Sequence, residues 1–177
     1  MMTAFSAEAA ELWRLRYFVP TSAESEITFG SSKAVKLNTS GHSGHLVFPN
    51  GIGIGYCTLR SNVSLEGVSF IFRNDSLDLS YTIGNSLSFT FGAGRLINGR
   101  AELSLNGVSY ATENSTGGAV FFNLGIPFIR GELLLGYRQN NIEYKNYQSQ
   151  NSGNTVTLAD PVKLPSSQVS VGIGFIF

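Results

Sequence analysis

Gln168-Val-Ser-Val-Gly-Ile-Gly-Phe-Ile-Phe177 decides the fold. Val169, Val171, Ile173, Phe175 and Phe177 fall on one parity. Gln168, Ser170, Gly172 and Gly174 fall on the other, interrupted only by Ile176. A strand sends successive side chains to opposite faces, so the segment has one apolar wall and one small or polar wall. Its length matches the roughly 9–11 residues with which a tilted strand crosses a bilayer. A strand of a soluble sandwich alternates in the same way, so the pattern must recur elsewhere to carry weight.

It does recur. Trp13, Leu15, Tyr17 and Val19 alternate with Leu12, Arg14, Arg16 and Phe18 in a first strand over Glu11–Pro20. Ile52, Ile54 and Tyr56 alternate with Gly51, Gly53, Gly55 and Cys57 inside a strand placed over Leu46–Leu59. Glycines weaken strands, and three at alternate positions fit a face that points into a crowded interior. Leu77, Leu79, Tyr81 and Ile83 oppose Asp78, Ser80 and Thr82. Gly84-Asn-Ser86 marks a hairpin turn, after which Leu87, Phe89, Phe91 and Ala93 oppose Ser88, Thr90, Gly92 and Gly94. Val120, Phe122, Leu124 and Ile126 follow, then a short connection over Pro127–Gly131, then Leu133, Leu135 and Tyr137 opposite Glu132, Leu134, Gly136 and Arg138. A weaker strand falls near Ser32–Thr39.

Between these segments the connections alternate in length. Short turns are expected near 41–45 (Gly41-His-Ser-Gly-His45), 84–86 and 128–131. Longer ones are expected near 21–31, 60–75, 96–117 and 139–165, the second with arms that extend its neighbouring strands and the third as a protruding hairpin. Short turns on one side and long loops on the other, with an even strand number, are the rhythm of transmembrane barrels. The expected fold is therefore all-β: a closed antiparallel up-and-down transmembrane barrel of eight strands. Ten is the alternative, if 62–73 and 101–111 are further strands.

Composition agrees. Charged residues are 14% of the 177, against about 25% in soluble domains. No run of eighteen apolar residues exists, so no spanning helix is available. In hydrocarbon every backbone polar group must be paired within the protein, which leaves a closed barrel as the remaining solution. Zero formal net charge argues against a nucleic-acid partner, which would need a basic face. The single cysteine, Cys57, excludes an internal disulfide and a cysteine zinc cluster, so no cofactor is expected. Residues 1–10 read either as a signal-peptide remnant, with Ala7-Glu8-Ala9 as a small-x-small end, or as a disordered N-terminus. Residues 11–177 read as the barrel domain.

On the same parity, Arg14, Arg16, Asp78, Glu132 and Arg138 point inward. Buried charges must be paired, so these five are expected to form an ion-pair network that fills a narrow eight-stranded lumen. For Arg138 a strand end in water is the other possibility. Trp13, Tyr17, Tyr56, Tyr81, Phe128, Tyr137 and Phe177 are candidates for interfacial girdles, or else for the core aromatics of a soluble barrel. Ser43 between His42 and His45 has the residue types of a nucleophile and its base, with Glu24 or Glu26 upstream. His42 and His45, three apart on a glycine-rich segment, could instead hold a metal loosely; a solvated turn is the plainer reading of that segment.

The segments Gly51-Ile-Gly-Ile-Gly-Tyr56, Asp78-Leu-Ser-Tyr-Thr-Ile-Gly84, Phe91-Gly-Ala-Gly94, Leu135-Gly-Tyr-Arg138 and the terminal Val171-Gly-Ile-Gly-Phe-Ile-Phe177 resemble the small Gram-negative outer-membrane barrels of the OmpA/OmpX/OmpW-like kind. The resemblance covers most of the chain from Glu11 onward and is one of pattern; no motif fixes a subfamily. It implies location in the cell outer membrane with both termini periplasmic, contact with outer-membrane lipid and lipopolysaccharide, and reading of Phe175 and Phe177 as an assembly signal by the barrel-assembly machinery. A peptidoglycan-anchoring role is not expected. Because no catalytic pattern stands out in the residues, a non-enzymatic barrel is expected, its extracellular loops serving as contact surfaces for a ligand. A narrow small-solute channel and a lipid A- or phospholipid-modifying enzyme are the alternatives.

Overall fold

The computed structural model describes residues 12–27, 35–65, 68–105, 107–150, 155–156 and 161–177. The expectation for residues 1–10, and the start of the first strand at Glu11, lie outside these. Eight long strands form the wall: β1 (Arg14–Ile27), β2 (Val35–Val47), β3 (Ile52–Leu65), β4 (Val68–Ile83), β5 (Ser88–Leu105), β7 (Ser115–Phe128), β8 (Gly131–Tyr144) and β11 (Val162–Ile176). Three short strands, β6 (Val108–Thr112), β9 (Tyr147–Ser149) and β10 (Thr155–Val156), extend one side of it. Every pairing is antiparallel. The wall closes because β1 pairs with β2 on one edge and with β11 on the other, Arg14 opposite Ile176 through Ser25 opposite Ser166. Trp13 and Phe177 exchange backbone hydrogen bonds of 2.9 and 3.0 Å across that seam. Closure gives each of the eight long strands a neighbour on both sides, with the β1–β2 ladder interrupted between Phe18 and Ser25.

One end carries the short turns, at residues 48–51, 84–87 and 129–130. Trp13 and Phe177 lie at this turn side. The first turn corrects the sequence reading. Gly41–His45 lies inside β2, paired with Leu59–Gly55 of β3. The chain reverses instead at Phe48-Pro-Asn-Gly51, where the Gly51 N–H donates to the Phe48 carbonyl and Gly51 sits at φ 84°. Proline fixes the φ that a turn corner needs and glycine takes the left-handed position. Gly41 and Gly44 have no such task. The second correction concerns Pro20–Ser25, which does not end β1. The register against β11 shifts between Pro20 and Ser22, a bulge that absorbs the proline, and the strand runs on to Ile27.

The other end, the hairpin side, holds the connections read as long loops. There the strands simply continue. β3 and β4 pair out to Leu65 opposite Val68, and β4 with β5 out to Val68 opposite Leu105. The described residues of 62–73 and 101–111 thus extend the long strands or form the short β6 beside them, and the wall keeps eight members. At 13 to 18 residues each, the strands exceed what a bilayer crossing needs.

Side chains settle which face meets what. Leu15, Tyr17, Val19, Ile52, Ile54, Leu77, Leu79, Phe91, Val120, Ile126, Leu133, Leu135, Val169, Val171, Ile173 and Phe175 all stand on the outer wall, 40–62% exposed. Trp13, Tyr81, Phe128 and Phe177 lie exposed toward the turn-side rim, Tyr56 and Tyr137 toward the opposite edge of the belt. Above that edge the outward positions turn polar: Thr58, Arg60 and Asn62 on β3, Arg73 and Asp75 on β4, Gln139, Asn141 and Glu143 on β8.

Candidate functional site

The inward parity builds two polar clusters, one above the other. Nearest the turns, Arg14 and Arg16 of β1 meet Glu132 of β8. The Glu132 Oε1 accepts from Arg14 Nη1 and Arg16 Nη2, each at 2.7 Å, and its Oε2 accepts from Arg16 Nε at 2.8 Å. The Arg16–carboxylate contact is bidentate, the strong geometry for this pair. Ser88 Oγ donates to Glu132 at 2.6 Å, and Arg16 donates onward to Thr90 at 2.6 Å. Arg14 Nη2 reaches the Gly84 carbonyl of the turn at 3.1 Å. Arg14, Arg16 and Glu132 are all at most 2% exposed.

Further up, Arg138 of β8 grips Asp78 of β4, Nη1 to Oδ2 at 2.7 Å and Nη2 to Oδ1 at 3.0 Å. Its remaining donors go to Ser76 Oγ at 2.7 Å and Asn140 Oδ1 at 2.8 Å. The guanidinium also lies over the Phe121 ring at 5.4 Å, within cation–π range. His45 stands edge-on between Phe18 and Phe121, with ring centroids at 5.6 and 5.2 Å, and its Nε2 is 3.6 Å from Asp78 Oδ2. Glycines make room for these groups. A Cβ on Gly92 would overlap the Phe121 ring, and one on Gly55 would lie 2.6 Å from His45 Nδ1.

The structure thus places all five expected charges in the lumen but in two separate groups, Arg14–Arg16–Glu132 and Asp78–Arg138. Three guanidiniums face two carboxylates. His45, Ser76, Ser88, Thr90, Phe18, Phe121 and Asn140 complete the set; sequence parity put several of them inward, but nothing in the sequence paired them with the arginines. Beside Arg138 a cavity of about 20 Å³ is lined by Phe18, Ser43, His45, Cys57, Asn123 and Gln168. A second, of about 10 Å³, lies beside Cys57, Asn74 and Asn140. Each holds one water at most.

Ser43, His42 and His45 do not converge. His42 is on the outer wall against Tyr17, centroids 6.0 Å apart, while His45 is buried in the lumen on the opposite face of the same strand. Among the described residues no group of three or more His, Cys, Asp or Glu could hold a metal ion.

Toward the hairpin side the inward residues become apolar. Ile27, Leu37, Phe70, Phe72, Ala101, Ile142, Tyr144, Tyr147, Val162 and Leu164 form one buried cluster. The Tyr144 hydroxyl donates to Asn74 at its lower edge. Both Tyr144 and Tyr147 lie beyond the apolar belt, and burial pushes their phenols well above the usual value.

No protein-family model and no curated protein matches the chain. Solved structures do. Neisserial surface protein A superposes with a TM-score of 0.62 at 15% identity, covering 93% of this chain and 97% of that one. Ail, the attachment invasion locus protein of Yersinia pestis, gives 0.57 at 18%, covering 93% and 99%. The outer-membrane protease OmpT from Escherichia coli gives 0.55 at 10%, covering 99% of both chains. Identities this low speak to architecture alone: the chain has the closed antiparallel eight-stranded barrel of the small outer-membrane proteins.

Proposed function

We propose that the chain is an integral outer-membrane protein, non-enzymatic, with a lumen filled by its own side chains and a hairpin-side extension that serves as contact surface. The observation that carries this is the belt. Apolar side chains line the outside of seven of the eight strands, β2 contributing only Leu46 beside Gly44 and His42, while five charges are buried inside, an arrangement suited to hydrocarbon and not to water. The short turns and Trp13 and Phe177 share one side, which in such barrels faces the periplasm. On this reading both termini are periplasmic and the hairpins extracellular. Phe175 and Phe177, 59% and 65% exposed near the turn-side rim, are then available to the barrel-assembly machinery as an assembly signal. The paired arginines and cavities of one water or less favour a plugged lumen over a channel. Ail has been solved with the heparin analogue sucrose octasulfate, which supports looking for a ligand of this chain on its extracellular strands and loops.

Closed barrels resist SDS until boiled, so membrane-extracted protein should migrate faster unheated than heated. A detergent-free, monodisperse monomer would sink the membrane reading. Planar bilayers should show no unitary steps; steps would turn the lumen into a narrow conduit. His45→Ala and Ser43→Ala should leave lipid A and ester substrates untouched, as wild type does, and turnover by wild type that either change abolished would restore an enzyme.

A further inference from the structure

Of the eight arginines, three are in the lumen and Arg130 is at the turn side. The other four stand together on the outer face of three adjacent strands. Arg60 of β3 is directly opposite Arg73 of β4, and Arg73 is directly opposite Arg100 of β5. Arg95 stands two rows nearer the turn side, opposite Leu77, which pairs in turn with Tyr56. Like charges directly opposite one another across a ladder repel, so a row of three needs a reason.

The protein's own carboxylates do not supply it. Arg100 is neutralised, its Nε 2.9 Å from Glu102 and its Nη1 3.3 Å from Glu113. Asp75 lies in the intervening row and accepts from Asn98 at 3.3 Å. Arg60 and Arg73, both exposed, have no ion-pair partner among the described residues. The depth is specific as well. One row, Thr58–Asp75–Asn98, separates the ladder from the apolar row Tyr56–Leu77. Four residues of strand rise about 13 Å along the strand, about 10 Å along the barrel axis at the usual tilt, which puts the guanidiniums at headgroup level, pointing sideways into the lipid layer and away from the hairpin tips.

We propose that Arg60 and Arg73, with Arg95 beneath them, form a binding site for the phosphate groups of an outer-leaflet glycolipid, held against the β3–β5 wall. Guanidinium forks match phosphate oxygens in pairs. Neighbouring strands are about 4.8 Å apart, so two forks can share one phosphate or take two on a single headgroup. This site rests on the membrane reading above and names what lies against one sector of the belt.

The test is native mass spectrometry of the full chain, refolded in detergent, with a bis-phosphorylated acylated glucosamine disaccharide as probe. Its dephosphorylated form and a soluble sulfated oligosaccharide are the controls. Wild type should retain the phosphorylated lipid and release the dephosphorylated one. R60Q/R73Q should weaken retention roughly thirtyfold, and R60K/R73K, which keeps charge but loses the fork, by less. Equal retention by wild type and R60Q/R73Q, or indifference to the phosphates, overturns the site. A sulfated oligosaccharide held as tightly as the lipid, and lost in R60Q/R73Q, overturns the lipid assignment in favour of a soluble polyanion. Heat-modifiable migration reports closure of each variant; should R60Q/R73Q not close, R73Q alone carries the comparison. Wild type that fails to close in any lipid defeats the membrane reading itself, a result distinct from closed barrels that ignore phosphate.

Discussion

The two ends of the wall follow opposite rules with the same strands. On β4 the inward residues nearest the turns are Asp78, Ser80 and Thr82, and the outward ones Leu77, Leu79 and Tyr81. Nearer the hairpin the inward residues are Phe70 and Phe72, and the outward ones Arg73 and Asp75. β11 does the same, with Ser166, Gln168 and Ser170 inside against Val169 and Val171 outside, then Val162 and Leu164 inside against Lys163 outside. The parity never changes; the chemistry on it inverts. The lower half is built for hydrocarbon outside and must satisfy a polar interior. The upper half is built for water outside and packs an apolar core as any soluble barrel does. One backbone crosses from one solvent to the other without a break, and the crossover falls near Asn74–Ser76 on β4.

The sharpest way to break this contrast is at Glu132. Replacing it with alanine leaves the buried guanidiniums of Arg14 and Arg16 without their carboxylate, and Ser88 with only the Gly125 carbonyl at 3.4 Å to accept from it. Stranding a buried charge is worth about 3–5 kcal/mol, and two are stranded here, so Glu132→Ala should lose about 5 kcal/mol in urea unfolding from lipid vesicles. A loss under 1 kcal/mol would mean that water reaches the lower lumen freely.

Phe72→Ala is the matching probe of the upper half. Phe72 is wholly buried between Phe70, 6.3 Å away and stacked, and Tyr144 at 5.2 Å. Truncating a buried phenylalanine in a packed core loses about 4 kcal/mol. Here the loss should appear as proteolytic nicking of the hairpins while the belt half stays heat-modifiable. If Phe72→Ala instead abolishes heat-modifiability, the halves are one cooperative unit.

Leu79→Arg reads the outer medium directly. Leu79 is 62% exposed in mid-belt. In water an arginine there would be neutral to stabilising; in hydrocarbon it loses about 3 kcal/mol near the midplane. The sign of the change in the unfolding midpoint decides between them, and Arg60→Leu, beyond the belt, should be nearly neutral in the same assay.

The inversion also explains what the sequence could and could not disclose. The belt half was readable because Val169, Leu79, Phe91 and their neighbours keep to one parity against serine and glycine, and that parity placed Arg14, Arg16, Asp78, Glu132 and Arg138 inside. Past the crossover the apolar residues move to the other parity, and a pattern followed outward dissolves. Residues 60–75, 96–117 and 139–165 therefore read as loops although most of their described residues are strand. Gly41–His45 read as a turn because glycines mark both turns and places where another chain passes close, as the Thr58 backbone carbonyl does at Gly41; Pro49-Asn-Gly51 was the real punctuation. Pairing lay out of reach: that Glu132 meets Arg14 and Arg16, 118 and 116 residues away, while Asp78 meets Arg138, follows from the register of β1, β8 and β4 around a closed wall.

The smallest expected effect separates the halves by pH. Tyr144 and Tyr147 belong to the upper core, 0% and 4% exposed, and burial raises both phenols above their unfolded value near 10. The folded state therefore holds these two protons more tightly than the unfolded chain does. Their contribution to stability is complete below pH 10 and is lost as pH climbs past 10 toward the raised folded values. At pH 10.5 each should contribute roughly 1 kcal/mol less than at neutrality. Tyr17, Tyr56, Tyr81 and Tyr137 stand on the outer wall, outside the upper core. Alkaline titration should accordingly loosen the hairpins, seen as faster proteolysis or amide exchange there, before it disturbs the lumen clusters. Tyr147→Phe should remove its share of the pH dependence while leaving neutral-pH stability nearly unchanged, because no hydrogen bond of its hydroxyl is formed among the described residues. If the lower half softens first, the upper interior is not the water-side core that Phe72, Tyr144 and Leu164 describe.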